Sequence, residues 1–188
     1  MDIKIIPQSE NITSTWSGGT TSQVYIYPES ADYKSRDFSF RLSMAQAHIK
    51  DSVYTKLDGV TRYIVSLDGE ADLCVEDEKP MHLTPYGTVM CFDGGKHTEA
   101  HGAIRDFNLM LKNGASGQML MLNSLNQELS PQYSHIAFYA DESCRVRICG
   151  EEYMLNKGDC LLISNIAEKS HAAFICDKMR IVRCNVRL

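Results

Sequence analysis

The chain has 188 residues, of which 44% are hydrophobic and 23% charged, an ordinary globular balance for one domain or two small fused ones. A net charge of −5 argues against nucleic acid or an anionic membrane as the partner surface. The basic cluster Lys178, Arg180, Arg183 and Arg187 has the spread of a solvated strand face.

From the N-terminus, Met1-Asp2-Ile3-Lys4 lacks the charged-then-apolar profile of a signal peptide. The first motif is Trp16-Ser17-Gly18-Gly19-Thr20-Thr21, in which two glycines can bring backbone N–H groups close to a ligand and two hydroxyls follow. It has no following lysine, so it does not read as a phosphate-binding P-loop. Val24 and Ile26 begin a period-two pattern that continues through Phe38, Phe40, Leu42 and Met44, then Tyr63, Val65 and Leu67, then Phe107, Leu109 and Leu111. Gln46 to Leu57 is too mixed to assign to a helix. Turn signals separate these runs at Asp58-Gly59, Asp68-Gly69, Thr84 to Gly87, Asp93-Gly94-Gly95 and Asn113-Gly114. Many short strands broken by glycine turns predict an all-β antiparallel sandwich or barrel.

Ile64 to Val89 and Ala137 to Leu161 share an order: a strand, an acidic turn, then a Gly-[Thr/Asp] turn that opens an apolar strand. The glycine- and asparagine-rich stretch from Asn113 to Pro131 is the natural joint between the two copies. This predicts two fused β-barrel halves, 1–115 with the ligand pocket and 116–188 as a degenerate second half. The second is shorter, so the N-terminal strands are available to complete it. No apolar run approaches the ~20 residues that a membrane span needs. Seven cysteines without a CxxC pair fit a reduced, cytoplasmic protein and no zinc site.

Strand parity points to the chemistry. Arg41 and Ser43 share one face of their strand and Phe40 and Leu42 the other; likewise Asp106 and Asn108 oppose Phe107 and Leu109. On the Thr61–Leu67 strand Arg62 opposes Tyr63. If the polar faces line a barrel mouth, Arg41, Arg62, Asp106 and Asn108 converge, and an arginine fork can hold a carboxylate bidentately. If the polar faces are merely solvated, the chain is an interaction module. His97, Glu99 and His101 share parity, but in an extended strand the histidines stand ~13 Å apart, too far for one ion. No metal or other cofactor is expected, and no Gly-x-Ser-x-Gly elbow marks a hydrolase.

Four ordered segments, Trp16 to Thr21, Phe38 to Ser43, Gly59-Val60-Thr61-Arg62 and Asp106 to Met110, resemble the pattern of the HutD/Ves family of small cytosolic proteins. Ser17 departs from the asparagine commoner there. The resemblance implies a bicupin, two fused cupin-type antiparallel β-barrels, lacking the usual histidine-rich metal set. It also implies a link with histidine utilisation, whose intermediates include urocanate and formyl and formimino derivatives of glutamate. The expected function is a sensor or regulator binding a small carboxylate, formyl or amide metabolite, with a homodimer allowed by fold-level analogy. Arg41 and Arg62 would hold the carboxylate beside Ser43, and the Gly18-Gly19 backbone with Thr20 would donate hydrogen bonds. Asp106 and Asn108 would orient the arginines, and Trp16 and Phe92 would wall the pocket. The rival expectation is a cupin enzyme acting on a similar metabolite.

Overall fold

A computed structural model describes all 188 residues. Its 19 strands are all antiparallel in their pairing, with two short 3-10 turns at Gln8–Glu10 and Tyr33–Ser35. The first eleven strands are β1 (Asp2–Ile6), β2 (Ile12–Trp16), β3 (Gly19–Tyr27), β4 (Phe40–Ala47), β5 (Asp51–Val53), β6 (Thr61–Asp68), β7 (Ala71–Val75), β8 (Met81–Leu83), β9 (Met90–Asp93), β10 (Thr98–His101) and β11 (Arg105–Leu111). The rest are β12 (Ser116–Met121), β13 (Asn126–Leu129), β14 (His135–Ala140), β15 (Cys144–Ile148), β16 (Glu151–Leu155), β17 (Cys160–Ser164), β18 (Ser170–Ile175) and β19 (Ile181–Arg187). The period-two patterns thus mark real strands, and Gln46 to Leu57 is the end of β4, the short β5 and loop. No helix is long and apolar enough to cross a membrane.

The strands form two compact units, Asn11–Ala115, and Met1–Glu10 with Ser116–Leu188. The boundary therefore differs from a division at 1–115. β1 pairs with β17, Ile3 and Ile5 pack on the apolar cluster of the C-terminal unit, and the Gln8 N–H donates to Asp159 at 3.0 Å. Apolar alternation in β1 thus supplies the strand that the shorter C-terminal half lacks.

Each unit is a jelly-roll of two sheets, as in cupins. The Asn11–Ala115 unit has a six-stranded sheet, β2-β3-β4-β11-β6-β9, and a four-stranded sheet, β5-β10-β7-β8. The other unit has a five-stranded sheet, β1-β17-β14-β19-β12, and a four-stranded sheet, β13-β18-β15-β16. The internal repeat is visible in this topology: β6 lies between β9 and β11 as β14 lies between β17 and β19. Turns between strands fall where the sequence signals them; Asn113 and Gly114 both have positive φ (52° and 83°), which asparagine and glycine adopt at low cost.

Packing differs along the Asn11–Ala115 unit. Ile64, Leu73, Leu83, Met90, Phe92 and Ile104 fill one part of it. Toward β3, β4 and β5 the inward residues are small, among them Ser43, Ala45, Ala47, Ser52 and Ala100. Side chains of that size cannot reach across the sheets, and a cavity of about 350 Å³ remains.

Candidate functional site: an arginine-lined cavity

The cavity is floored by the six-stranded sheet, whose register arranges the polar side chains in rows. Ile26, Arg41, Met110, Arg62 and Phe92 are successive cross-strand partners on β3, β4, β11, β6 and β9. The next row is Gln23, Ser43, Asn108, Ile64 and Met90, and the third is Thr21, Ala45, Asp106 and Ser66. Because β4, β11 and β6 are neighbours in register, Arg41, Ser43, Arg62, Asp106 and Asn108 meet at one cavity. All five are buried, between 1% and 7% exposed, so none is a solvated surface residue.

The two arginines are bonded only to neutral groups. Arg41 Nε donates to Gln23 Oε1 at 2.9 Å, and its Nη1 donates to Ser43 Oγ at 3.1 Å. Arg62 Nη2 donates to Asn108 Oδ1 at 3.4 Å, a long bond, and its buried Nε has no partner. Asn108 in turn donates its amide N–H to Asp106. Asp106 therefore reaches Arg62 through Asn108, and the two bonds fix which way the Asn108 amide points.

Burial sets the electrostatics. It pulls the Arg41 pKa down to about 10, opposed by Tyr33 and reinforced by Arg36 and Arg62. It also lowers that of Arg62, opposed by Tyr54, Tyr33 and Asp106. A guanidinium is basic enough to keep its proton inside a protein, so both carry positive charge. Burial pushes Asp106 up to about 7 against the Asn108 hydrogen bond and the charges of Arg62 and Arg105. The cavity thus holds permanent positive charge faced by a carboxyl that is partly protonated near neutrality, a setting that attracts an anion.

Aromatic rings shape this charge. The Tyr33 ring centroid is 4.1 Å from the Arg36 guanidinium carbon and 4.0 Å from that of Arg41. Tyr54 and Phe92 stand 4.8 and 5.3 Å from the Arg62 guanidinium carbon. Such contacts hold the planar groups in fixed orientations.

Four expected residues lie elsewhere. Phe92 does not line the cavity; as the cross-strand partner of Arg62 it backs that side chain. Thr20 is displaced by strand parity: Thr21, paired with Ala45, is the hydroxyl at the cavity, and Thr20 points to the other face of β3. Gly18 and Gly19 also lie outside the lining. A Cβ on Gly18 would stand 2.1 Å from Trp16 Cζ3, and one on Gly19 would stand 2.0 Å from the Gln46 carbonyl oxygen. Gly18 makes room for the indole of Trp16, which does line the cavity, and Gly19 makes room for the Gln46 carbonyl.

Sequence reading missed Tyr33, Arg36, Tyr54 and Ser52, all of which line it. They stand in the 3-10 turn, its left-handed end at Arg36 and the segment around β5, where no periodic signal exists. His97, Glu99 and His101 are on the outer face of the four-stranded sheet, where both rings face Glu99 at 2.8 and 3.7 Å. The cavity's own polar side chains, three arginines, one amide, hydroxyls and one carboxyl, do not fit a divalent cation, which needs several anionic or imidazole ligands.

Known structures share this architecture. A conserved protein of unknown function from Pseudomonas aeruginosa superposes with a TM-score of 0.83 at 20% identity, over 100% of this chain and 98% of that one. HutD from Pseudomonas fluorescens, in a formate condition, gives 0.76 at 22% identity, over 98% of both chains. Oxalate decarboxylase from Bacillus subtilis gives 0.63 at 7% identity, over 97% of this chain and 76% of that one. At these identities the likeness establishes the cupin fold. No curated protein sequence matches. The HutD family model matches residues 8–179, nearly the whole of both units, and the chain belongs to the HutD family.

Proposed function

We propose that the chain is a cytoplasmic metabolite-binding bicupin, a sensor or regulator linked to histidine utilisation, whose arginine cavity takes a small carboxylate that also bears a formyl or amide group. The observation that carries this reading is Arg62: a buried guanidinium with one long bond to a neutral amide and an unpartnered Nε. A buried charge left this way costs free energy, and a ligand carboxylate would supply both the counter-charge and the missing acceptor. Arg41 and Ser43 would hold the same anion, and the Asp106–Asn108 pair would meet an N–H or carbonyl further along the strands. Trp16 and Tyr33 would form the walls.

The test is a thermal-shift series on the purified protein with formate, glutamate, histidine, urocanate, formylglutamate and formiminoglutamate. Stabilisation by one of them, lost in Arg41→Ala, supports the reading. Silence across the series, or a shift that survives Arg41→Ala, counts against it.

A second reading is favoured by Asp106, whose pKa of about 7 suits a general acid–base. In a cupin enzyme it would move a proton on a similar metabolite held by the arginines. Product formation from any stabilising ligand, abolished in Asp106→Asn with binding retained, would select this reading over the first.

A further inference from the structure

None of the seven cysteines has a cysteine as cross-strand partner in the paired registers, but the β15–β18 ladder, continued one step, sets two of them opposite each other. Its register runs Ile148↔Ala172 to Arg145↔Ile175, where β18 ends, and the same register carried one residue past that end sets Cys144 opposite Cys176. Residues opposite each other in an antiparallel pair share a face, and their Cα atoms stand about 4.5 or 5.5 Å apart depending on the type of pair. Both values lie within the roughly 4.4–6.8 Å that disulfides span. Burial agrees: Cys144, Val146 and Ile148 alternate inward on β15 with exposed Arg145 and Arg147 between them. Ala172 and Phe174 face inward on β18, and Cys176 continues that face and packs against the same core cluster. Both thiols are free in the structure.

We infer that Cys144 and Cys176 form a reversible oxidation site, an intramolecular cross-strand disulfide made by peroxide. Cys176, partly exposed, is reached first and its thiolate attacks the peroxide, giving a sulfenic acid and one water. The thiol of Cys144, only 4% exposed, then displaces that hydroxyl, forming the S–S bond and a second water. In sum two thiols give up two protons and two electrons, and one peroxide becomes two waters. Burial pushes the Cys144 thiol up to about 11, with Cys176 adding to the shift. Burial and Asp177 also raise that of Cys176. The reaction is therefore slow at neutral pH and accelerates as pH rises.

A second neighbouring pair, in which both thiols are buried, makes the contrast. Cys160 is opposite Tyr139 and Cys184 opposite Ala137, on the two sides of β14, so a whole strand separates them.

The native protein is treated with peroxide, its remaining thiols are alkylated after unfolding, and peptides are mapped by mass spectrometry without reductant. The expected result is a linked Cys144–Cys176 peptide in monomeric protein, two fewer alkylated thiols of the original seven, and reversal by dithiothreitol. Cys176→Ser should abolish the link, whereas Cys144→Ser should leave Cys176 as a sulfenic acid that dimedone traps. The inference is overturned if Cys144 stays fully alkylatable while Cys176 proceeds to sulfinic acid. It is equally overturned if links form through exposed Cys91 or Cys149 between molecules, or if the unfolded chain yields the same link as readily.

Discussion

Both units carry an inward arginine next to an asparagine, and they use it in opposite ways. In the C-terminal unit Arg183 donates from Nε to Asn185, from Nη1 to Gln127 and from Nη2 to the Glu128 carbonyl, each at 2.8 Å. Gln127 and Glu128 are on β13 of the opposite sheet, so the arginine ties β19 to β13 and fills the space between. In the Asn11–Ala115 unit Arg62 has one bond of 3.4 Å, an orphaned Nε and a cavity beside it. The same residue type thus serves as a strut where acceptors surround it, and as an open donor where small side chains on β4 withhold them. Arg183 was also expected on a solvated strand face; at 8% exposure it is buried, because its spacing in sequence says nothing about the acceptors that meet it from β13.

Removing each arginine should expose this difference most strongly. Arg183→Met takes the guanidinium donors from Gln127 Oε1, Asn185 Oδ1 and the Glu128 carbonyl and should lower stability by about 3 kcal/mol. Arg62→Met should change the stability of the free protein by less than about 1 kcal/mol, since it removes an incompletely bonded buried charge. Denaturant unfolding of the two variants measures both; equal losses would end the distinction between strut and open donor.

Gly19→Ala should cost about 2–3 kcal/mol, because the new methyl meets the Gln46 carbonyl, yet ligand affinity of the folded fraction should be retained. Thermal unfolding with and without ligand separates the two effects. Loss of binding in a fully stable variant would return the glycines to the site.

Arg41→Ala should weaken carboxylate binding by about 1.5–3 kcal/mol, as expected for a charge-assisted hydrogen bond. Calorimetric titration reads this directly.

The pH dependence sharpens the comparison further. The folded pKa of Asp106 lies above its unfolded value, so the folded state holds the proton more tightly. Its contribution is full below about 4, the unfolded pKa, is lost as pH rises toward about 7, and is flat beyond. Asp106→Asn should remove that slope and stabilise the protein at pH 8. Formate, an anion with no N–H to offer Asp106, should bind more weakly as pH rises through 7, and the variant should bind it with no such dependence.

The smallest expected effect is the parity contrast. Thr21→Val should weaken ligand binding by about 0.5–1 kcal/mol and Thr20→Val should leave it unchanged.

Alternation made much of this legible. Phe40, Leu42, Phe107 and Leu109 against Arg41, Ser43, Asp106 and Asn108 is a period-two signal that survives in one sequence, and it assigned the faces of β4 and β11. The repeat located β6 to β9 and β14 to β17 through their turns. What stayed hidden depends on three-dimensional neighbours. Tyr33 and Tyr54 sit on irregular backbone and meet the arginines only through folding. Gly18 and Gly19 look like ligand-binding glycines because a tight approach by backbone is visible in sequence, while its cause, here the ring of Trp16 and the Gln46 carbonyl, is not. β1 pairs with a strand more than 150 residues away, a partner no local pattern names.

The most direct test is an isothermal titration of the carboxylate that most stabilises the protein, performed on wild type, Arg62→Met and the more conservative Arg183→Lys. Saturable binding by wild type and by Arg183→Lys, with none detectable in Arg62→Met, is the predicted result. Equal affinity in wild type and Arg62→Met would contradict the account and leave the open arginine without a ligand.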